Sequence, residues 1–205
     1  MTKATYPDTS YEQTAYDNAG HRTLFIDRVF HSFTYGYDAD GRLTTTTAPS
    51  NGSTTTGYDA AGQVISTKDA DNNVTQYVYD DAGRRTQVID ALNHTTTFAY
   101  DNAGNQTSVT DANQHITTYV YDKDNRRTQT IYHDQTSETI GYDELGRMTS
   151  KTDQANEVTQ YGYDALGRLT SVTQFLNGNP LITSYGYDEV GNRISQTDAN
   201  NHTTT

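Results

Sequence analysis

The chain has no cysteine and no tryptophan, only two methionines and three prolines, and 32% of its 205 residues are hydrophobic. Without cysteine there are no disulfides and no thiolate metal sites, and the redox compartment stays open. So little apolar material is poor stock for a thick two-layer core. No window approaches the ~20 apolar residues of a membrane-spanning helix. The opening Met1-Thr2-Lys3-Ala4-Thr5-Tyr6-Pro7-Asp8 lacks the apolar stretch of a signal peptide. Basic residues are scarce too: 14 Lys and Arg stand against 26 Asp and Glu, a net charge of −12. That balance repels a phosphate backbone, so nucleic acid is not an expected partner. Low hydrophobicity with net charge leans toward disorder, but seventeen tyrosines and a fixed period argue for a fold.

The period is carried by the dipeptide Tyr-Asp. It occurs at Tyr16-Asp17, Tyr37-Asp38, Tyr58-Asp59, Tyr79-Asp80, Tyr100-Asp101, Tyr121-Asp122, Tyr142-Asp143, Tyr163-Asp164 and Tyr187-Asp188. The first eight are 21 residues apart; the last step is 24, its three extra residues falling in or near Leu176-Asn177-Gly178-Asn179-Pro180. Three residues after the aspartate stands Gly20, Gly41, Gly62, Gly83, Gly104, Gly146, Gly167 or Gly191, with Asn125 in the remaining copy. A period held over nearly the whole chain marks a repeat architecture whose length is set by copy number.

One unit, Tyr79 to Ala99, shows the local logic. In Tyr79-Asp80-Asp81-Ala82-Gly83-Arg84 the carboxylate can accept downstream N–H groups as in an Asx-turn, and the glycine supplies the positive φ that closes a hairpin through a bulge. Asparagine is the next best residue for that backbone, so Asn125 keeps the requirement. Arg85-Thr86-Gln87-Val88-Ile89 is β-branched and strand-like. Asp90-Ala91-Leu92-Asn93 makes a second turn, and Asn51-Gly52 and Asn177-Gly178 hold the same phase. His94 to Ala99 then leads into Tyr100 as a second strand. No helical spacing persists anywhere. The fold class is therefore all-β: a repeat array of about nine 21-residue β-hairpins, roughly 17 strands, forming a curved or open-spiral antiparallel sheet. Residues 1–15 are a lead-in or partial repeat and residues 16–205 the array.

Alternation along the strands places Tyr77 with Tyr79, Tyr35 with Tyr37, Phe98 with Tyr100, Tyr119 with Tyr121, Tyr161 with Tyr163 and Tyr185 with Tyr187 on one face. Small residues (Gly36, Val78, Ala99, Val120, Gly162, Gly186) occupy the other. The aromatic stripe is expected to pack between hairpins, its phenol oxygens served by the Asp and Arg ladders. The residues expected to build the turns and ladder are Tyr37, Asp38, Gly41 and Arg42; Tyr58, Asp59 and Gly62; Tyr79, Asp80, Gly83 and Arg84; Tyr100, Asp101 and Gly104; Tyr121, Asp122, Asn125 and Arg126; Tyr142, Asp143, Gly146 and Arg147; Tyr163, Asp164, Gly167 and Arg168; and Tyr187, Asp188 and Gly191.

The string Tyr161-Gly162-Tyr163-Asp164-Ala165-Leu166-Gly167-Arg168-Leu169-Thr170 resembles the Rhs/YD repeat, and Tyr35 to Thr44 and Ile140 to Thr149 match nearly as well. The resemblance runs from Tyr16 to the C-terminus. It implies a β-strand wall, wound in that family into a hollow shell. In bacterial Rhs proteins and insecticidal toxin complexes the shell encloses a C-terminal toxic polypeptide; teneurins use a similar shell in adhesion. The family's aspartyl self-cleavage belongs to a distinct core region. This chain has far fewer repeats than a closed shell, lacks the Asp-Pro-x-Gly core signature (its prolines are Pro7, Pro49 and Pro180), and stops at Thr203-Thr204-Thr205 partway through a repeat. Those departures favour a fragment or a short member. The localisation implied is secreted or cell-surface as part of a larger bacterial protein, cytoplasmic before export.

Other constellations dissolve into turn chemistry. Asp69-Ala70-Asp71-Asn72-Asn73 lacks the glycine and distal glutamate of a calcium loop. His94, His115 and His202 share a phase, but hairpins roughly 9.5 Å apart cannot bring them within zinc-ligand reach; His21, His31 and His133 fit no shared site. No nucleophile elbow or nucleotide-binding glycine pattern occurs. Equivalent carboxylates cannot divide acid and base roles. The expectation is a non-enzymatic structural module without cofactor or metal. Its partners are further YD repeats, self-association through sheet edges, and an enclosed polypeptide. The alternative is an exposed tyrosine face that grips carbohydrate or a cell-surface partner; a glycosidase on a β scaffold is disfavoured because unlike groups do not converge.

Overall fold

The computed structural model describes residues 1–50 and 52–205, so Asn51 of the Asn51-Gly52 turn lies outside the described residues. The chain forms two compact units, Met1–Phe98 and Ala99–Thr205. Among the described residues there is no helix.

The first unit holds β1 (Thr2–Thr5), β2 (Tyr11–Tyr16), β3 (Arg22–Ile26), β4 (Ser32–Tyr37), β5 (Leu43–Thr47), β6 (Ser53–Tyr58), β7 (Val64–Lys68), β8 (Val74–Tyr79), β9 (Arg85–Ile89) and most of β10 (Thr95–Tyr100). Each strand pairs antiparallel with its chain neighbour, a plain meander. The second unit continues with β11 (Gln106–Thr110), β12 (Ile116–Tyr121), β13 (Arg127–Ile131), β14 (Ser137–Tyr142), β15 (Met148–Thr152), β16 (Val158–Tyr163), β17 (Leu169–Leu176), β18 (Asn179–Tyr187), β19 (Arg193–Thr197) and β20 (Thr203–Thr204). From β11 to β20 it is again a meander. The strands among the described residues number 20, not about 17: nine hairpins give 18, and Thr2–Thr5 adds one beside β2 and Thr203–Thr204 one beside β19.

Both turns of a repeat are built alike. At Asp80 the backbone N–H donates to the Arg84 carbonyl (3.0 Å), and the Gly83 N–H donates to the Asp80 carbonyl (2.9 Å). The Asp80 carboxylate accepts from the N–H groups of Ala82 (3.0 Å) and Arg84 (2.9 Å). At Asp90 the same four bonds run to His94, from Asn93, from Leu92 and from His94. The residue closing each turn is left-handed: Gly83 has φ 78°, Asn125 60°, Asn93 64° and Gln114 66°. The two turns differ in the strand pairing beside them. Next to the first, Tyr79 faces Arg85 while Val78 faces Gln87, so Thr86 is an extra residue, a bulge. Four residues of β8 thus face five of β9. The same shift recurs after every first turn for which the register is described. The one long hairpin, β17–β18, closes on Asn177-Gly178 with φ 51° and 80°, the pairing that matches strand twist in a two-residue loop.

Register sorts the faces. Tyr77 lies opposite Val88, and Val88 opposite Thr96. In the second unit Tyr161 lies opposite Val172, and Val172 opposite Thr183. The other face pairs small groups: Gly57 with Ser66, Gly141 with Ser150, Gly162 with Ser171 and Gly186 with Ser195. Each unit's sheet is a single layer. Among the described residues no hydrophobic side chain is fully buried, and Thr130, at 7% exposure, is the one buried residue. Cohesion has to come from strand pairing and from side chains lying along the sheet.

Candidate functional site

The residues that carry the period converge at the first-turn end of each hairpin, where every repeat touches the next. The bulge exposes the carbonyl of the first residue on the returning strand, and the tyrosine of the following Tyr-Asp pair reaches it. Tyr58 donates to the Leu43 carbonyl (3.1 Å), Tyr79 to Val64 (2.8 Å), Tyr121 to Gln106 (2.9 Å), Tyr142 to Arg127 (3.2 Å) and Tyr163 to Met148 (2.9 Å). Tyr37 reaches Arg22 (3.0 Å), and Tyr187 reaches Leu169 (2.8 Å) across the longer step. The expected partners of these phenols were Asp and Arg side chains; the partner found is main-chain carbonyl, because the bulge leaves that oxygen outside the strand ladder.

The arginine after the turn makes the second link. Arg147 Nε donates to its own turn's Asp143 Oδ2 (2.7 Å), and Nη1 donates to the Asp164 carbonyl of the next turn (3.2 Å). Its guanidinium lies 4.7 Å from the ring centroid of Tyr163. Arg42, Arg126 and Arg168 repeat all three contacts, onto Asp59 and Tyr58, Asp143 and Tyr142, and Asp188 and Tyr187. Arg84 holds Asp80 Oδ2 at 2.7 Å. His21 takes the same place in the first repeat, 3.0 Å from Asp17 Oδ2 and stacked on Tyr37 at 4.7 Å. A second series faces the tyrosine two residues earlier: Arg127 over Tyr119 and Arg193 over Tyr185, both 5.5 Å. With guanidinium groups over the rings and phenols tied to backbone, this arrangement gives no support to a free carbohydrate platform.

Uncharged residues stand in the arginine position elsewhere. Asn105 binds Asp101 (2.9 Å) and Asn125 (2.7 Å), and Asn192 binds Asp188 (2.8 Å). Gln63 binds Asp59 (3.2 Å) but leaves its Oε1 buried without a partner.

The turn carboxyls of Asp17, Asp38, Asp80, Asp101, Asp122, Asp143, Asp164 and Asp188 are held below the ordinary carboxylate range. For Asp80, Asp143 and Asp164 the leading cause is the backbone N–H of the arginine four residues on, followed by desolvation against and the guanidinium bond for, in varying order. For Asp38 and Asp122 desolvation is the largest influence and pushes up, and the arginine's backbone and side-chain bonds together outweigh it. Asp90, Asp111 and Asp198 are lowered first by the N–H of their histidines.

Those histidines stay apart, each in its own turn, but the turns are alike. His21 and His31 hold the same turn position as His94, His115 and His202: all five sit four residues after a turn aspartate with Nδ1 2.9–3.3 Å from its Oδ2. The signal was the Asp-to-His spacing, the same four residues that separate Asp from Arg. His133 instead stacks on His115 at 4.1 Å. Among the described residues no three His, Cys, Asp or Glu gather as metal ligands.

A coreless meander of like hairpins, cross-linked at one end by Tyr-to-carbonyl and Arg-to-turn contacts, defines the class: a β-hairpin repeat array. The RHS Repeat family model matches residues 37–73, 58–95, 79–116, 100–136 and 142–176. The chain belongs to the RHS-repeat family. Among solved structures it is similar to TcdB2-TccC3, with TM-score 0.68, 18% identity, and coverage of 96% of this chain and 12% of that one. It is also similar to the Photorhabdus luminescens Tc holotoxin pore, with TM-score 0.58, 16% identity, and coverage of 98% and 16%. This chain thus spans about an eighth of the TcdB2-TccC3 chain's length. No curated protein sequence matches it.

Proposed function

We propose that the chain is a stretch of the wall of a hollow shell that encloses another polypeptide, and that it performs no catalysis. Residues 1–15 serve as a partial repeat leading into the array of residues 16–205. The tyrosines, turn aspartates, turn glycines and arginines named above are its structural ladder, not a ligand site. The observation that carries this reading is the equivalence of the links: the Tyr-to-carbonyl bond recurs from Tyr37 to Tyr187 with no repeat set apart as a reaction centre. The likeness to TcdB2-TccC3 over nearly the whole chain supports it. The outer strands β1 and β20 each pair on one side among the described residues. Further repeats are proposed to continue from them, or copies of the chain to pair there, since an open edge templates strand addition. Export within a secreted or surface assembly follows from that reading.

The test is native purification of the chain from its source cells through a chromosomal tag, followed by protease digestion and then denaturation. An intact polypeptide of unrelated sequence, released only after denaturation, is the expected result. Complete digestion of everything that co-purifies, or hydrolytic activity abolished by one substitution in one repeat, would overturn it.

A further inference from the structure

The second turns of the unit Ala99–Thr205 lack the links that tie its first turns together. Among its described residues no hydrogen bond joins one second turn to the next. One neighbouring pair meets in another way. His115, at the end of the Asp111 turn, and His133, in the turn from Tyr132 to Thr136, stack with ring centroids 4.1 Å apart and planes 27° from parallel. Histidines that share a phase stand about 9.5 Å apart from hairpin to hairpin, which keeps them from a common ion. His133 is out of that phase. It stands three residues before Thr136, the position that matches His115, and its ring crosses to the neighbouring turn.

The two rings are held differently. His115 Nδ1 lies 3.2 Å from Asp111 Oδ2. An ionised carboxylate only accepts, so Nδ1 carries the proton and Nε2 of the neutral ring keeps its lone pair. A carboxylate behind the imidazole is the arrangement that orients histidine ligands in metal sites. His133 is exposed, and among the described residues no hydrogen bond fixes its ring, which leaves it able to turn about its own bonds. Beside the pair opens a cavity of about 490 Å³, lined also by Gln114, Tyr132 and Gln135. Asp111, and Asp134 next to His133, add negative charge there, in a chain whose net charge is −12.

We propose that His115 and His133 together bind one late first-row divalent cation, of which Zn²⁺ is the representative, through their Nε2 atoms, with water in the remaining positions. Two nitrogens on a tetrahedral zinc, each 2.0–2.1 Å from it, stand about 3.3 Å apart. The 4.1 Å stack brings the rings close to that spacing, and rotation of His133 turns its lone pair toward the ion. Imidazole suits zinc, copper and nickel, whereas calcium and magnesium take oxygen ligands. His94 and His202 have the same aspartate behind the ring but no second imidazole against it among the described residues. With two protein ligands the site is weaker than a four-ligand structural site and exchanges its metal. A bound ion clips the β11–β12 hairpin to the β13–β14 hairpin at the end where hydrogen bonds do not. The proposal does not rest on the shell reading.

Titration of the untagged, metal-free chain with zinc chloride, followed by calorimetry, tests it. The native chain is compared with His115→Gln, His133→Gln and, as control, His94→Gln, each first shown by circular dichroism to retain the β fold. The native chain and the control are expected to bind one ion in a saturable step and to melt at higher temperature with zinc, since a ligand of the folded state stabilises it. His115→Gln and His133→Gln should each bind at least about tenfold more weakly and lose the zinc-dependent rise. In the native chain, which needs no variant to fold, zinc should shift the imidazole resonances of His115 and His133 together and leave those of His94 and His202 in place. Absence of saturable binding, equal weakening by His94→Gln, undiminished binding by His133→Gln, or resonances of all the histidines moving alike would overturn the proposal.

Discussion

The hydroxyl of Tyr163 donates a 2.9 Å hydrogen bond to the main-chain carbonyl of Met148, fifteen residues earlier and one repeat back. It binds a backbone atom, so it asks nothing of the side chain at 148. That position can be Arg22, Leu43, Val64, Gln106, Arg127 or Leu169 in other repeats without loss of the link. This explains how so variable a chain keeps one geometry. Removing a single phenol hydroxyl by Tyr163→Phe is expected to destabilise by about 1 kcal/mol, the net value of one hydrogen bond. Tyr16, 52% exposed and without such a carbonyl bond among the described residues, is the control, and Tyr16→Phe should be neutral. Urea midpoints of the two variants check this; equal shifts would remove the carbonyl link from the account.

Arg147 should couple to Tyr163 energetically as well as geometrically. The guanidinium fork serves Asp143, the Asp164 carbonyl and the Tyr163 ring at once. A lysine ammonium cannot match that planar set of contacts. Arg147→Lys is therefore expected to lower the melting temperature although charge is kept. A double-mutant cycle with Tyr163→Leu should return a coupling of about 0.5–1 kcal/mol, the range for an accessible cation–π pair. Zero coupling would mean that the ring contact contributes nothing beyond proximity.

The turn aspartates set the acid limit. The carboxyls of Asp80, Asp90, Asp143 and Asp164 are lowered in the folded chain, by hydrogen bonds that unfolding removes. As pH falls through the ordinary aspartate value of about 3.9, the unfolded chain takes up protons before the folded one does. The stabilisation is thus complete above about pH 5 and lost progressively as pH drops below about 4 toward the depressed folded values. Melting temperature should be flat from about pH 7 to 5 and then fall, with a shallower fall for Asp80→Asn, Asp143→Asn, Asp164→Asn. A melting temperature unchanged down to about pH 2.5 would show that these bonds do not report on folding.

Much of the fold could be read from the sequence because each turn needs a left-handed residue at a fixed place, and Gly83 or Asn125 announces it. Second turns with the aspartate, such as Asp111 to Gln114, could be read as equivalents, whereas those closed by Phe30 and Gln135 were harder to see, since these residues take positive φ without favouring it. What marks them is the aspartate and its partner four residues on, as in Asp27 and His31. Tyr132 breaks even that signal. A bulge was expected where the glycine closes the turn, but its place at Thr86 was not legible, because nothing in that side chain requires it. It becomes evident only once register is known. The inter-repeat links depend on that bulge, so the sequence showed which residues recur but not that tyrosine would choose a carbonyl over the neighbouring charges.

Gln63 offers the sharpest test of the ladder, because there the chain carries a defect of its own. Its Nε2 still holds Asp59, but its Oε1 is buried with no partner. In the neighbouring pattern an arginine at this place reaches the next turn's carbonyl and ring, as Arg42 does with Asp59 and Tyr58. Gln63→Arg would set the same fork toward Asp80 and Tyr79 while removing an orphaned acceptor. An unsatisfied buried group costs about 1–3 kcal/mol, so a gain of about 1 kcal/mol is expected despite the entropy of ordering a longer side chain. Asn192→Arg in the chain of residues 1–205 provides the contrast: within those residues it can bind Asp188 in its own turn but meets no later Tyr-Asp turn, so it should give little there. Thermal melts of the two variants separate the inter-repeat contribution from the local one. Equal gains at both sites would assign the arginine's value to its own turn alone, and a loss at Gln63 would mean that the site has closed around the amide too tightly to accept the fork.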